Sequence, residues 1–293
     1  MITSYYKSDN RDFTLLQGDC IELLNLFEFQ FDMIFADPPY HLSNGGISVQ
    51  SGKMVSVNKG DWDKSNGYEK DYLFDKTWIS ACRNKLKKDG TIWISGTYHN
   101  IFMVARCLIE LGFKILNCIT WEKTNPAPNL SCKYFTHSAE YILWARKEQK
   151  VPHYFNYDLM KSINGGTQMR DVWRLPTIAQ WEKSCGKHPT QKPLSVLARI
   201  IQASTRPGAW ILDPFTGSST TGIAANLLDR RFLGIDKSLE FLDMSIARRK
   251  EINDISTRRL FLTKMQAQSP IFYNPRLDLT NEDPVYYGTD LPF

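Results

Sequence analysis

Three short segments of this 293-residue chain combine residue types able to hold and orient a small ligand. The first is Asp37-Pro38-Pro39-Tyr40, directly after an apolar run, Phe31–Ala36, that reads as a strand. The two prolines fix backbone φ and leave carbonyls without a helical partner, so a carboxylate, a rigid turn and an aromatic ring stand together. Such a group suits a flat ring bearing an amino group. Tyr40 can stack on the ring while Asp37 and the Pro38 carbonyl accept the two amino hydrogens. A strand-ending turn with a capping Asp accounts for the bare tetrapeptide almost equally well.

The second segment, Asp213-Pro214-Phe215-Thr216-Gly217-Ser218-Ser219-Thr220-Thr221, follows the strand-like run Trp210–Leu212 and precedes a helical pattern. A strand, a turn of small residues and a helix N-terminus make a nucleotide-type site. The next strand-like run ends in Asp236, 19 residues beyond Gly217. That is close to the ~20 residues expected for a carboxylate that binds ribose hydroxyls. No GxxxxGK[ST] occurs, which argues against a P-loop nucleotidase. The third segment, His188-Pro189-Thr190-Gln191-Lys192-Pro193, leads into a helix for which Pro193 is a good first residue. Lys192 and that helix N-terminus together attract a carboxylate. Standing alone, the segment reads as a turn histidine and a surface lysine.

The elements that must position these segments alternate. Strand-like runs are Phe13–Leu16, Phe31–Ala36, Thr91–Ser95, Ile115–Trp121, Glu140–Trp144, Trp210–Leu212 and Phe232–Ile235. Helical patterns cover Tyr72–Lys87, Asn100–Glu110, Leu194–Ser204, Thr220–Leu228 and Leu239–Ile252. Short apolar strands between amphipathic helices predict an α/β fold, a doubly wound, mostly parallel sheet covered on both faces. All three segments then sit where strands end, at the ligand-binding edge of such a sheet. Three stretches break the alternation. Residues 41–70 are polar and rich in Gly, Ser and Asn, which predicts a long functional or mobile loop. Lys147–Gly186 is basic and dotted with aromatics. The tail from 257 to 293, with four prolines and no clear periodicity, is expected to be an irregular extension of a catalytic domain spanning 1–256.

Net charge is +5, and from Arg146 to Lys192 nine Lys/Arg face four Asp/Glu while the rest is balanced. The local excess suits a polyanion-facing surface or a plain solvated face. No run approaches the roughly 20 apolar residues that cross a bilayer, and the first ten residues have no apolar signal core, so no membrane role and a cytoplasmic location are expected. The six cysteines are scattered without a CxxC pair, as neither a disulfide framework nor a zinc site would have them, and no metal is expected.

Together and in this order, the three segments resemble the S-adenosylmethionine-dependent amino-methyltransferases that act on DNA. The order is the permuted one of the β group of adenine-N6 enzymes: catalytic motif first, target recognition in the middle (about 122–186), cofactor motif last. The resemblance spans roughly residues 10–253 and implies a Rossmann-like fold with a small target-recognition insertion. It implies that Asp37, Pro38 and Tyr40 hold a flipped target base, with Pro39 completing the turn. It places Phe215, Gly217 and the adjoining Asp213, Ser218 and Ser219 at the cofactor, Asp236 on its ribose, Asp19 and Cys20 near its adenine, and Thr190 and Lys192 near its methionine moiety. Ser219 stands where the family usually has a second glycine. A positive φ there would strain a serine, whereas an extended φ would make it an acceptable helix cap.

Thr124–Asn129 and Tyr134–Glu140 are similar to a subset that modifies GATC or GANTC, among them the second methyltransferases of DpnII-type restriction–modification systems. His137 and Glu140 are not read as a metal pair. DNA is the expected partner, and a homodimer is an admissible assembly. Cytosine C5 methylation needs a thiolate nucleophile, and no cysteine here follows a proline as it does in that family. Cytosine N4 methylation shares the pocket logic, but Ser commonly replaces the first Asp there, so Asp37 favours adenine. A non-catalytic DNA-binding regulator on the same fold is the alternative from another class, and the intact Asp37–Tyr40 motif argues against it.

Overall fold

The computed structural model describes residues 2–40, 47–50, 53–56, 63–186, 189–268 and 291. In chain order, β1 (Tyr6–Lys7), β2 (Phe13–Gln17), α1 (Cys20–Leu24) and β3 (Phe31–Ala36) lead into a hairpin, β4 (Ile47–Gln50) and β5 (Lys53–Ser56). α2 (Tyr68–Lys85), β6 (Leu86–Gly96), α3 (Ile101–Glu110), β7 (Lys114–Lys123) and β8 (Ala139–Arg146) follow. Then come α4 (Tyr157–Ile163), β9 (Val172–Leu175), a 3-10 turn (Gln180–Lys183) and α5 (Leu194–Ser204). β10 (Trp210–Asp213), α6 (Thr220–Leu227), β11 (Arg231–Asp236), α7 (Leu239–Glu251) and α8 (Ile255–Gln268) complete the described order.

Nine strands form one sheet in the order β1-β2-β11-β10-β3-β6-β8-β7-β9. The central five, β2 to β6, are parallel; β1 and β8 join antiparallel. Side chains alternate between two cores, as the period of two in a strand requires. Met33, Phe35, Trp93, Ile211 and Phe232 face α5, α6, α7 and α8. Ile34, Ala36, Ile92, Ile94, Leu212 and Leu233 face α1, α2 and α3. The doubly wound expectation holds, and the sheet reverses its winding between β10 and β3. α6 leaves β10 on one face and α2 precedes β6 on the other, so a crevice opens at the carboxyl ends of those strands. The region expected as a recognition insertion is partly continuous with this frame, because β8 pairs with β6 and β9 with β7.

Two expectations need correction. Residues 41–70 are not one long loop: they contain the β4–β5 hairpin and the first turn of α2, while 41–46, 51–52 and 57–62 lie outside the described residues. The tail from 257 is not irregular throughout, since α8 runs to Gln268 and buries Phe261, Leu262 and Met265 in the core beneath α5. Asp254 starts that helix by accepting from the Thr257 N–H at 2.8 Å, a cap that a proline-centred reading of the tail overlooks. The packed fold therefore continues past 256. The prolines from 270 to 284 lie outside the described residues.

α6 approaches the sheet closely because it carries Gly222. A Cβ there would lie 2.5 Å from the Phe232 ring and 2.6 Å from Phe13. Gly222→Ala should therefore destabilise the fold by about 1–3 kcal/mol through overpacking, less up to ~1 kcal/mol from better helix propensity. Denaturant unfolding checks this: the midpoint should fall with the slope unchanged.

Candidate active site

A cavity of about 300 Å³ opens where three strands end. Asp37 follows β3, Asp213 ends β10, Asp236 ends β11, and the Gly18–Cys20 turn after β2 closes one side. Much of its wall is apolar, with Phe35, Phe74, Phe215, Ile235 and Phe241, the mixture a small-molecule site shows.

Asp37 is the centre of a buried charge network. Its Oδ1 accepts from the hydroxyls of Tyr40 and Ser95, each at 2.5 Å. Its Oδ2 accepts from Lys192 Nζ at 2.7 Å. Lys192 also lies 3.6 Å from Glu140 Oε2, and Glu140 Oε1 pairs with Lys123 at 2.6 Å. The Lys192, Asp37 and Glu140 side chains are only 9, 16 and 14% exposed, so water screens these charges weakly. Burial alone would raise the Asp37 carboxyl, but the Lys192 charge, with the hydrogen bonds from Lys192, Ser95 and Tyr40, outweighs it and holds the group below the usual carboxylate range. Glu140 is likewise held low against burial by Lys192 and Lys123. Burial works against the Lys192 ammonium, yet Asp37, Tyr40 and Glu140 hold its pKa well above the ordinary value. Asp37 is thus a fixed anion and an acceptor of hydrogen bonds.

The tetrapeptide is fastened from both sides. The Tyr40 N–H donates to Asp63 Oδ1 at 2.7 Å, and Asp63 is fully buried. Asp37 and Pro39 reach the cavity wall, whereas Pro38 and Tyr40 are buried behind it. Tyr40 is 6% exposed, with Lys192 Nζ 5.2 Å from its ring centre, so a base stacking on it must displace what covers the ring.

The second segment supplies the far wall. Asp213, Phe215, Gly217 and Ser218 line the cavity, as do Asp19, Cys20, Thr190, Lys192 and Asp236. Asp236 accepts from the N–H groups of Gly217 and Ser238, both at 2.8 Å, which fixes its carboxylate at the strand end. Burial pushes its carboxyl up, and pushes that of Asp213 up to about 7. Asp213 accepts from Thr221 Oγ1 at 2.5 Å and from the Phe215 N–H at 3.1 Å. Cys20 is no nucleophile, for burial drives its thiol up to about 12. Lys192 does not stand free for a ligand carboxylate, because it is bound to Asp37. His188 lies outside the described residues, and among the described residues no three His, Cys, Asp or Glu side chains gather as a metal site.

Ser219 is turned away from the cavity. It adopts φ 56° and ψ 39°, and its side chain makes no capping bond to α6. Its Oγ lies 2.9 Å from Thr216 Oγ1, and its N–H donates to the Thr216 carbonyl at 2.7 Å. Of the two readings of this serine, the strained backbone is the one found, and the cap is not.

Several residues that hold the site carry no local sequence signal. Arg248 of α7 donates to the Ser218 carbonyl and hydroxyl and to Thr220 Oγ1, at 2.6 to 3.1 Å. Ser245 donates to the Gly217 carbonyl at 3.0 Å. Glu182, in the 3-10 turn Gln180–Lys183, accepts from the Leu194 N–H at 2.7 Å and so caps the helix that follows Lys192. Ser95 could have been suspected as a small polar residue closing an apolar strand. Asp63, Glu140 and Glu182 reach the site only through the fold.

A family model described as DNA methylase matches residues 31–247. The chain is 56% identical over 255 residues to the Type II methyltransferase M2.MboI of Moraxella bovis, covering 87% of this chain and 93% of that protein. It is 53% identical over 256 residues to the Type II methyltransferase M2.DpnII of Streptococcus pneumoniae, covering 87% and 95%. Among solved structures it resembles the M1.HpyAVI–SAM complex, with TM-score 0.63 and 28% identity over 81% of this chain and 98% of that one. The cytosine-N4-specific PvuII DNA methyltransferase shares the fold, with TM-score 0.67 at 19% identity over 91% and 96%.

The strain at position 219 is measurable. Ser219→Ala keeps the left-handed backbone and deletes the hydroxyl contact with Thr216, which should lower stability by about 1 kcal/mol. Ser219→Gly deletes the same contact but relieves about 1–2 kcal/mol of left-handed strain, partly offset by ~0.5–1 kcal/mol of chain entropy. Chemical denaturation is expected to rank the glycine variant above the alanine variant; the reverse order would reject the strain.

Proposed function

This chain belongs to the DNA methylase family, and from that premise we propose that it methylates N6 of a flipped-out adenine, in GATC, within a restriction–modification system. Its methyl donor is S-adenosylmethionine, which when bound supplies a methyl activated by a positive sulfonium. The residues present fit that ligand. Asp236 offers an acceptor at the end of β11 for ribose hydroxyls, Phe215, Phe74 and Phe241 offer apolar and aromatic surface, and Asp37 offers negative charge.

The observation that carries the proposal is the ionised, buried Asp37 on the wall of the same cavity. An adenine N6 lone pair is delocalised into its ring and is a weak nucleophile. Hydrogen bonds from the amine to Asp37 and to the Pro38 carbonyl would localise that lone pair and aim it, so the chain contributes orientation. Asp37 need not be a strong base, and its low pKa agrees with that. A base inside a duplex cannot reach such a pocket, which is why the adenine must leave the stack. Aromatic stacking on Tyr40, once its ring is uncovered, would return about 1–3 kcal/mol of what extrusion costs.

The GATC part rests on the resemblance of Thr124–Asn129 and Tyr134–Glu140 to enzymes of that specificity. Of the amide and guanidinium side chains that could read base edges, Asn125 accepts from Thr177 and Asn129 bonds Tyr134 and Ser131 within its own loop. Arg174 is exposed but lies 3.7 Å from Glu122, whereas Gln168, Arg170 and Gln180 are exposed and better placed to pair bidentately with adenine or guanine.

Asp37→Ala should abolish methyl transfer while S-adenosylmethionine still binds by calorimetry; near-normal turnover would sink the assignment. A methyl-free plasmid treated with the wild-type enzyme should become resistant to a nuclease that cuts only unmethylated GATC. Methyl groups at GANTC would overturn the site alone, and methyl groups on cytosine would overturn the adenine reading.

A further inference from the structure

We propose that Glu140 is a positioning residue of the transfer reaction, the alternative seat to which Lys192 moves when the adenine amine comes to donate to Asp37. The inference rests on the reading of Asp37 as the acceptor of that amine. It starts from the occupancy of the Asp37 carboxylate. Oδ1 already accepts two hydroxyls, from Tyr40 and Ser95. An oxygen offers two lone pairs, so a further amine hydrogen is best received at Oδ2. That oxygen holds the Lys192 ammonium at 2.7 Å. An ammonium left there would draw electron density from the carboxylate and make it a poorer acceptor. It would also face the positive charge that develops on N6 as the methyl arrives. Both effects oppose transfer, so the lysine must be able to withdraw.

The structure provides one place for it to go. Glu140 Oε2 is buried, has no hydrogen-bond partner, and lies 3.6 Å from Lys192 Nζ. A movement of under about 1 Å would bring the pair to charge-assisted hydrogen-bond distance. Glu140 is ready for this role because Lys123 holds its other oxygen at 2.6 Å and keeps it ionised. The backbone supports the placement: Glu140 lies at the start of β8, which pairs with β6, the strand ending in Ser95 and Gly96. The ionisable groups around Asp37 are then Lys192, Tyr40, Glu140 and, across the cavity, Asp213, with Lys123 behind Glu140. Lys192 carries its charge throughout and changes only its partner.

Glu140→Gln tests this, because the amide oxygen still accepts from Lys123 while the anion is lost. The single-turnover rate of methyl transfer should fall by on the order of 10- to 100-fold, the range that misplaced reacting groups show. Affinities for S-adenosylmethionine and for a GATC duplex should stay within about twofold. The acid limb of the rate–pH profile should move to lower pH, since removing a neighbouring anion and leaving Lys192 on Asp37 both depress the Asp37 pKa. A merely structural role would lower the melting temperature and weaken binding while leaving the single-turnover rate of the bound complex near the wild-type value. Glu140→Asp keeps the charge but draws back the seat, so its rate should fall with the acid limb in place; this variant decides the matter if the glutamine form does not fold. A wild-type rate and acid limb in Glu140→Gln, or a wild-type rate in Glu140→Asp where only that variant folds, overturns the proposal. Asp37→Asn serves as the control: if it retains activity, the reading of Asp37 itself has failed. If it is inactive while Glu140→Gln is normal, only the role of Glu140 has failed.

Discussion

An ionised carboxylate held out of water constrains the rest of this molecule. Removing an ion from water costs several kcal/mol even after relaxation, and Coulomb attraction offsets that only with good geometry and satisfied hydrogen bonds. Asp37 meets both conditions through Lys192, Ser95 and Tyr40. Each of these comes from a different part of the chain: the β3 turn, the end of β6, and the segment before α5. The sheet order must therefore bring β3 beside β6, and α5 must begin over their ends. The parallel register of β3 on β6, with Ala36 opposite Ile94, places Ser95 one residue beyond its partner, where its hydroxyl meets Asp37. Losing any one of these partners would leave the buried carboxylate short of a hydrogen bond, at a cost of several kcal/mol.

The far wall of the cavity is held by a different device. Gly217 and Ser219 both take positive φ, so the turn after β10 is tight enough for its N–H groups to face the strand ends. A glycine makes that conformation freely and a serine does not, so something must hold it. Arg248 and Ser245 of α7 bind the turn from beneath, through the carbonyls of Ser218 and Gly217. Burial lowers the Arg248 guanidinium to about 10, still far above neutrality, so this clamp stays charged under ordinary conditions. The strain is local and the restraint comes from a neighbouring helix, the usual pattern at sites that must be formed before the ligand arrives.

What was legible in the sequence follows from which interactions are local. β3 and α5 were bounded correctly because an apolar run and a Pro-led amphipathic helix are signals carried by consecutive residues. The three chemistry-bearing segments could be read for the same reason, since each is a strand end followed by its own turn. Ser95, Asp63, Glu140 and Glu182 were not legible as site residues. Each is a single polar side chain whose meaning depends on a partner 12 to 58 positions away. A lysine at a helix start attracts anions, which points Lys192 to a ligand carboxylate, but the anion it meets is Asp37. The helix after 254 carries only a short signal, the Asp254 cap and the Phe261, Leu262, Met265 stripe, and the prolines that follow obscure it.

The same network links recognition to chemistry. Glu182 belongs to the basic segment proposed to read DNA, yet its carboxylate caps the N-terminus of α5 and its carbonyl accepts from Gln191, one residue before Lys192. Glu140 lies at the end of the loop that carries Tyr134 and His137; the His137 ring stacks on Tyr98, just beyond Ser95, and Tyr134 packs against His137. A DNA strand that ordered either recognition segment would thus act on groups within one or two contacts of Asp37. No long pathway is needed for such coupling, because Glu182 and Glu140 stand between those segments and the start of α5 or Lys192. Specificity could then reside in the transfer step as well as in binding, since a wrongly seated duplex would leave Lys192 on Asp37 and the acceptor closed.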